Sequence, residues 1–344
     1  MKAWRAILSE LPDIVVILNP HAKGVTEGIV ETLSEVVSPE RLFLTQEISD
    51  NAALARQVLE EGVHTVFTGG GDGTIVAFVN ALLDEAKRMD ISSANIPQVG
   101  VMRLGTGNAL AEMVSSGSYL ADLRSFLQNP HEDTQLMAWV ESEGRRFPFG
   151  GIGLDAEVLN DYEWVKEASE NTAISPALKN VGGYFAALFS RTIPRRVREV
   201  VQPRDVQVLI RSAGSRAFLL NDAGERVRSF EPGEVMFEGT MNLTAVGTCP
   251  YYGYGMKVLP YATEDMGMMN IRVVSTSIQV ILANLRAVWD GTYRHEGITD
   301  FLADVVEVEM SEPLPYQEGG DAKGERQVLR LAVGKEVIRL VRFI

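Results

Sequence analysis

The chain has 344 residues, 46% of them hydrophobic, with a formal net charge of −14 and one cysteine, Cys249. That length and apolar content suffice for a sizeable core, suit two domains and exclude a disordered chain. The acidic balance argues against nucleic acid as a partner. The lone cysteine rules out an internal disulfide and fits a reducing, cytoplasmic setting, and no run of about 18 apolar residues offers a membrane span.

In chain order, "MKAWRAILSELPDIVVILNP" shows no export signal, and its "DIVVILN" (13–19) reads as a buried strand. "VTEGIVETLSEVV" reads as a helix, "RLFLTQ" as a strand and "NAALARQVLEEG" as a helix ending at Gly62. "HTVFTG" follows as a strand, "TIVAFVNALLDEAKRM" as a helix and "PQVGVMRLG" as a strand. Strand and helix alternating in this way predict a parallel sheet covered by helices on both faces. A further helix, "NALAEMVSSGSYLADLRSFLQ", is expected to break near Gly117. From about Gln135 the pattern turns to alternating strands with turn chemistry such as "SAGS" and "NDAGE". Helical stretches at about Tyr162–Arg191 and around "TSIQVILANLRAVWDG" interrupt it.

"TGGGDGT" (68–74) places glycines and Asp72 between a strand and a helix. Free backbone N–H groups and the positive end of a helix dipole then meet at one point, which suits a phosphate. A plain tight turn needs only one or two glycines, and the P-loop spacing is absent. "RLGTGNALA" (103–111) repeats the device at the next strand end, with Gly105 and Gly107 around Thr106 and Asn108 as a helix N-cap. Neighbouring turns of this kind share one crevice above an α/β sheet. "LNPHAKG" (18–24) supplies a third edge. "GGIGLDA" (150–156) matches a dinucleotide fingerprint superficially, but it lacks the βαβ frame. "YQEGGDAKGER" holds Asp321 and Glu325 among glycines, and by spacing alone reads as a charged surface hairpin. The four histidines show no metal-ligand spacing, and no nucleophile elbow is present.

Taken in this order, "GGGDGT", "RLGTGNALA", "GGIGLDAEV" and "GGDAKGER" resemble the diacylglycerol kinase catalytic-domain family, which includes sphingosine kinases and bacterial soluble lipid kinases. The resemblance implies an α/β, Rossmann-like nucleotide domain of the NAD kinase and phosphofructokinase kind, followed by a mostly-β sandwich. The first would cover residues 1–134, with 327–344 returning to it, and the lipid-substrate domain residues 135–326. ATP would lie between them, contacting Asn19, Pro20, Thr45, Gly70, Gly71, Asp72, Gly73, Thr74, Gly105, Thr106, Gly107 and Asn108. Asp72 and Asn80 would shape the first turn. Asp155 would join a polar network near the transferred phosphate, Asp321 would be the general base, and Glu325 stands roughly where the family's late glutamate falls. Mg2+ would accompany ATP, and Asp265 is the remaining acidic residue of a structural-metal loop.

The implied activity is transfer of the γ-phosphate of ATP to a lipid hydroxyl, with a diacylglycerol or a sphingoid-like lipid as acceptor, at a membrane surface. "LFSRTIPRRVREV" (188–200) mixes apolar side chains with arginines as a peripheral attachment would. The resemblance leaves a homodimer open. Departures from the family are Ala109 after "GTGN", where it has Asp, and Ala22 and Lys23 within its "NPxSG". Met266 replaces a carboxylate, and the late "DGE" is stretched to "DAKGE". An NAD kinase shares the "GGDGT" element, and a nucleotide-binding regulator without catalysis would fit Ala109 and Met266.

Overall fold

The computed structural model describes residues 14–130, 133–156 and 206–343. The chain divides into two compact units, residues 1–138 with 335–344, and residues 139–334. The sequence places the corresponding junctions after residue 134 and before residue 327.

In the first unit, β1 (Ile14–Leu18), β2 (Leu42–Leu44), β3 (Thr65–Gly70) and β4 (Gln98–Arg103) pair in parallel in the order β4-β3-β1-β2. Every residue of β1 and β3 is buried, as expected for parallel strands with both faces covered. Helix α1 (Glu27–Ser34) starts at Thr26, whose hydroxyl accepts from the Ile29 N–H. Helix α2 (Asp50–Glu60) ends before Gly62 at φ +66°, a left-handed position that glycine takes without strain. Helix α3 (Asp72–Arg88) begins directly after Gly71.

The expected helix after Gly107 divides into α4 (Ala109–Met113) and α5 (Tyr119–Gln128). Ser115 between them has φ 60°, a conformation no helix interior accepts. The core joins Val16, Leu18, Phe67 and Met102 from the sheet to Leu33, Leu123 and Phe126 from the helices. Phe67 meets Phe126 edge-on at 5.2 Å between ring centres. On the free side of β4, Leu340 pairs in parallel with Val99, which puts Val341 in the same core.

The second unit is antiparallel. Its strands are the end of β5 (Thr134–Ser142), β6 (Arg145–Phe147), β7 (Phe149–Gly153), β8 (Gln207–Ser212), β9 (Ala217–Leu220) and β10 (Arg226–Ser229). They continue with β11 (Val235–Thr240), β12 (Leu243–Gly247), β13 (Met269–Val274), β14 (Ile298–Ala303), β15 (Val305–Glu318) and β16 (Asp321–Val341), whose residues from 335 onward belong to the first unit. Strands pair in the order β10-β9-β14-β13-β12-β7-β15-β16, with β8 on β15 and β11 on β8. Alternate residues such as Val208, Ile210, Val306, Val308, Leu329 and Leu331 form the core with Ile271 and Phe301. Short helices α6 (Ile278–Ala283) and α7 (Leu285–Trp289) replace the single helix expected there.

Strand β14 is absent from the sequence reading. Its "ITDFLA" carries Asp300 in what should be an apolar run, but Asp300 sits opposite Arg272 of β13 and is buried with it. The two form a bidentate pair at 2.9 and 2.8 Å, and pairing is what allows a charge into a sheet interior. The helical stretch expected at about 162–191 and the arginine-rich stretch 188–200 lie outside the described residues. Among the described residues, no helix is long and apolar enough to cross a membrane.

Candidate functional site

Three turns gather at the carboxyl ends of β1, β3 and β4 in the first unit. The β3 and β4 turns touch so closely that a Cβ on Gly105 would lie 2.4 Å from the Gly71 Cα and 2.8 Å from the Gly70 carbonyl oxygen. The β1 turn closes against them, since a Cβ on Gly24 would lie 2.2 Å from the Leu104 carbonyl oxygen. Only chains without side chains at these points can pack main chain on main chain. Asn19 ties the first turn to the second: its Nδ2 donates to Thr74 Oγ1 at 3.1 Å, and its main-chain N–H donates to the Gly69 carbonyl at 2.9 Å. Thr45 is buried beside them, donating its N–H to the Leu18 carbonyl at 2.9 Å. Pro20 lies in the turn after Asn19.

Asp72 opens α3, yet its carboxylate serves another helix. Its two oxygens accept from the N–H groups of Ala109 and Leu110, each at 3.1 Å. Asn108 therefore holds the N-cap position that the sequence suggests, but its side chain does not do the capping. It stands at φ 56° and ψ 40°, and makes no capping bond. Instead its side chain closes on Gly105, with Oδ1 accepting from the Gly105 N–H at 2.8 Å and Nδ2 donating to the Gly105 carbonyl at 2.8 Å. The physical reason is the left-handed backbone, which turns the Asn108 side chain back into its own loop and leaves the capping bonds to Asp72. Burial pushes the Asp72 carboxyl up from its ordinary value, and the N–H groups of Ala109, Leu110, Asn108 and Asp72 itself pull against that rise.

Arg103, which sequence reasoning did not single out, fixes the far side of the second turn. Its Nε donates to the Ser116 carbonyl at 2.9 Å, and its guanidinium pairs with Glu112. Asn80, two turns into α3, donates to the Val76 carbonyl at 2.8 Å. The first turn of a helix leaves N–H groups without intrahelical partners. Here Thr74 and Ile75 return theirs to the Gly71 carbonyl, and Asp72 and Gly73 precede them. The start of α4 is capped by Asp72 and the Gly105 N–H by Asn108, so the glycine main chain at the start of α3 is the part of this arrangement that fits the phosphates of a nucleotide.

The second unit carries the late acidic residues. β15 and β16 meet in a tight hairpin whose turn is Gly319 and Gly320, at φ 60° and 88°. Two positive φ angles in succession are what a two-residue hairpin turn asks for. Asp321 follows with a side chain 60% exposed and Lys323 Nζ 3.5 Å away. Glu325, opposite Pro315, is also exposed.

Glu318, three residues before Asp321, has a different fate. It is buried, accepts from Arg145 Nε at 2.6 Å and Nη2 at 3.1 Å, and accepts from the Tyr316 hydroxyl at 3.0 Å. Its oxygens are committed, so of these two carboxylates only Asp321 is open to an incoming hydroxyl. Arg145 gains from the arrangement: the hydrogen bonds with Glu318 push its pKa above the ordinary value against the cost of burial. The Arg145 to Glu318 connection joins residues 173 positions apart, and no local pattern signals it.

Asp155 lies just after β7. Its Oδ2 accepts from Gln317 Nε2 at 3.0 Å, and its Oδ1 accepts from the Ala156 N–H at 2.8 Å. β7 runs antiparallel to β12 and β15, so "GGIGLDA" has no βαβ frame.

Asp265 does not fit a metal ligand. Its carboxylate faces Arg216 Nη1 at 3.4 Å and Arg226 Nη2 at 3.1 Å, and it accepts from the Gly267 N–H at 3.1 Å. Burial pushes this carboxyl up, but the Gly267 N–H and the Arg226 and Arg216 guanidiniums outweigh it and hold the group below its ordinary value. Two cations already occupy the place where a third would have to sit. Among the described residues, no group of three or more His, Cys, Asp or Glu side chains could hold a metal.

Comparison with known proteins adds to this geometry. Residues 13–138 match the family described as the diacylglycerol kinase catalytic domain, and residues 221–341 match the YegS C-terminal NAD kinase beta sandwich-like domain. A protein of Cronobacter sakazakii named "Probable lipid kinase YegS-like" is 24% identical over 252 residues, 72% of this chain and 69% of its own length. One of the same name from Enterobacter sp. strain 638 is 31% identical over 107 residues, and that match spans 30% of this chain and 33% of the relative. Two solved structures from Bacillus anthracis strain Sterne, one described as a diacylglycerol kinase, cover 97% of this chain and 98% of their own. Their TM-scores are 0.65 and 0.60, at 18% and 15% identity. At that identity the likeness is one of fold.

Proposed function

We propose that this chain, which belongs to the diacylglycerol kinase catalytic-domain family, is an ATP-dependent lipid kinase. It transfers the γ-phosphate to the hydroxyl of a diacylglycerol or sphingoid-like lipid. The observation that carries the reading is the meeting of three turns, packed main chain on main chain at Gly24, Gly70, Gly71 and Gly105, at the ends of β1, β3 and β4, held by Asn19, Thr74 and Asp72. Phosphoryl transfer asks mainly for positioning and charge neutralisation. The glycine turns at residues 70–74 and 105–108 seat the phosphates through those N–H groups that are not bonded within the turns, and Asp72 keeps the two turns in register. Mg2+ bound with the nucleotide supplies charge neutralisation. Such an ion would need few protein carboxylates, because Mg2+ commonly keeps several waters.

Asp321 is the general base. It is exposed on a fixed hairpin, whereas Glu318 beside it is locked by Arg145. Asp155 belongs to the polar surroundings of the reacting groups, and Glu325 stands near the same hairpin. Such a base contributes about 10^2- to 10^4-fold.

The test is incubation with γ-labelled ATP, Mg2+ and a total lipid extract, followed by identification of the labelled lipid. Asp321→Asn is expected to lower turnover by about 10^2-fold or more while leaving ATP binding intact. Equal labelling by the variant removes Asp321 from the role. NADP formation with no labelled lipid overturns the lipid-kinase reading.

A further inference from the structure

β15 carries two polar networks on opposite faces. Side chains alternate along a strand, so Tyr316 and Glu318 point together to Arg145, while Gln317 points the other way and is buried. Its carboxamide is engaged at both ends. Nε2 donates to Asp155 Oδ2 at 3.0 Å, and Oε1 accepts from the Gly320 N–H at 2.9 Å. One side chain thus grips Asp155 at one end and, at the other, the turn residue immediately before Asp321.

The residue opposite Gln317 in the β7–β15 ladder is Gly151. A Cβ there would fall 1.7 Å from Asp155 Oδ2 and 2.7 Å from Oδ1. The Asp155 carboxylate therefore occupies the volume that any other residue at 151 would fill, directly across the ladder from the amide that binds it. Gly151, the second glycine of "GGIGLDA", has this use in the antiparallel sheet.

We infer that Gln317 and Gly151 are positioning residues: together they seat the Asp155 carboxylate and, through Gly320, fix the turn from which Asp321 projects. The inference rests on the transfer reaction proposed above. The carboxamide is the right group for the task because it offers a donor to a carboxylate and an acceptor to an amide, and neither depends on pH. Leucine offers neither. Glutamate keeps the acceptor for Gly320 but faces Asp155 with a second carboxylate, and two such groups in contact cannot both ionise freely. The other charged groups nearby are Glu318 with Arg145 on the opposite face of β15, and Asp321 with Lys323 beyond the turn.

The experiment compares full-length wild type, Gln317→Leu, Gln317→Glu and Gly151→Ala in kcat and ATP KM from pH 5.5 to 8.5. Hydrogen exchange of the peptide spanning the 318–325 hairpin is followed in parallel. Gln317→Leu is expected to lower kcat about 10- to 100-fold at every pH, with ATP KM within about twofold of wild type, and to speed exchange at Gly320. Gln317→Glu is expected to approach wild-type turnover at the acid end and to lose it as pH rises, by up to about tenfold per unit once the shared proton leaves. Its Gly320 amide stays protected. Gly151→Ala lowers kcat without speeding exchange at Gly320.

Losses of equal size in Gln317→Leu and Gln317→Glu that ignore pH and follow the melting temperatures overturn the inference, as does unchanged exchange in Gln317→Leu. If the wild type itself phosphorylates no lipid, the kinase reading fails separately, and the exchange data still decide whether Gln317 holds the turn.

Discussion

Replacing Gly105 with alanine sets a carbon 2.4 Å from the Gly71 Cα, 2.8 Å from the Gly70 carbonyl oxygen and 3.0 Å from Asn108 Oδ1. Ordinary contact begins at 3.4 Å, so the β3 and β4 turns must part by about 1 Å, and two of the three obstacles are main chain that cannot rotate away. Overpacking of this kind costs about 1–3 kcal/mol. At about 2–4 °C per kcal/mol, the apparent melting temperature falls by roughly 2–12 °C.

The turns that separate are the ones assigned to the phosphates. ATP affinity is therefore expected to drop at least about tenfold, or about 1.4 kcal/mol. Gly62→Ala is the internal control. No atom lies within 4 Å of its new carbon, but the position has φ +66°, which costs an alanine about 1–2 kcal/mol in backbone strain. It should melt early and bind ATP normally. The assay is scanning fluorimetry with a titration of a fluorescent ATP analogue for both variants. Wild-type affinity in Gly105→Ala, or equal loss in the two variants, refutes the reasoning.

Two further outcomes follow from carboxylates with opposite behaviour. Asp72 has a folded pKa raised by burial, so its contribution to stability is fully present below the unfolded carboxyl pKa and is lost as pH rises through the folded value. Urea unfolding should show wild type gaining on Asp72→Asn as pH falls from 7 to 4, and a gain in the other direction contradicts the burial argument. Asp265 has a folded pKa held below its ordinary value of 3.8. Its contribution is present above that pH and is lost as the pH falls through the folded pKa. Asp265→Ala should cost about 1–2 kcal/mol at pH 7, mostly from the Gly267 amide, since partly exposed ion pairs contribute little. That loss should be the same with EDTA as with Mg2+, as measured by urea unfolding. A Mg2+-dependent difference would restore a metal to this loop.

The strands and helices of the first unit are legible in the sequence because their periods are clean and glycines punctuate them. "DIVVILN" and "HTVFTG" mark the buried strands Ile14–Leu18 and Thr65–Gly70, the first apolar at every position and the second built on Val66 and Phe67. The glycine turns are equally plain. What the sequence conceals is pairing over distance. Asp72 reads as part of its own turn, yet it caps a helix 37 positions later through main-chain N–H groups that have no residue identity. Gln317 reads as one polar residue in a hairpin, yet its partner Asp155 lies 162 positions earlier. Asp300 hides β14 because the arginine that admits it to the sheet stands on another strand. The acidic Asp265 suggests a cation, and the structure supplies two from Arg216 and Arg226, neither of which neighbours it in sequence.

The pairing of Leu340 with Val99 has a consequence for assembly of the first unit. β1, β2, β3 and β4 are all made early in synthesis, and with them every turn assigned to the nucleotide. The open side of β4 nevertheless keeps exposed ladder groups, the kind of edge that invites mispairing, until residues 335–341 emerge from the ribosome. Completion of this sheet therefore waits for the whole second unit to be translated, and a nascent chain halted anywhere in residues 139–334 carries its three glycine turns on an unfinished sheet.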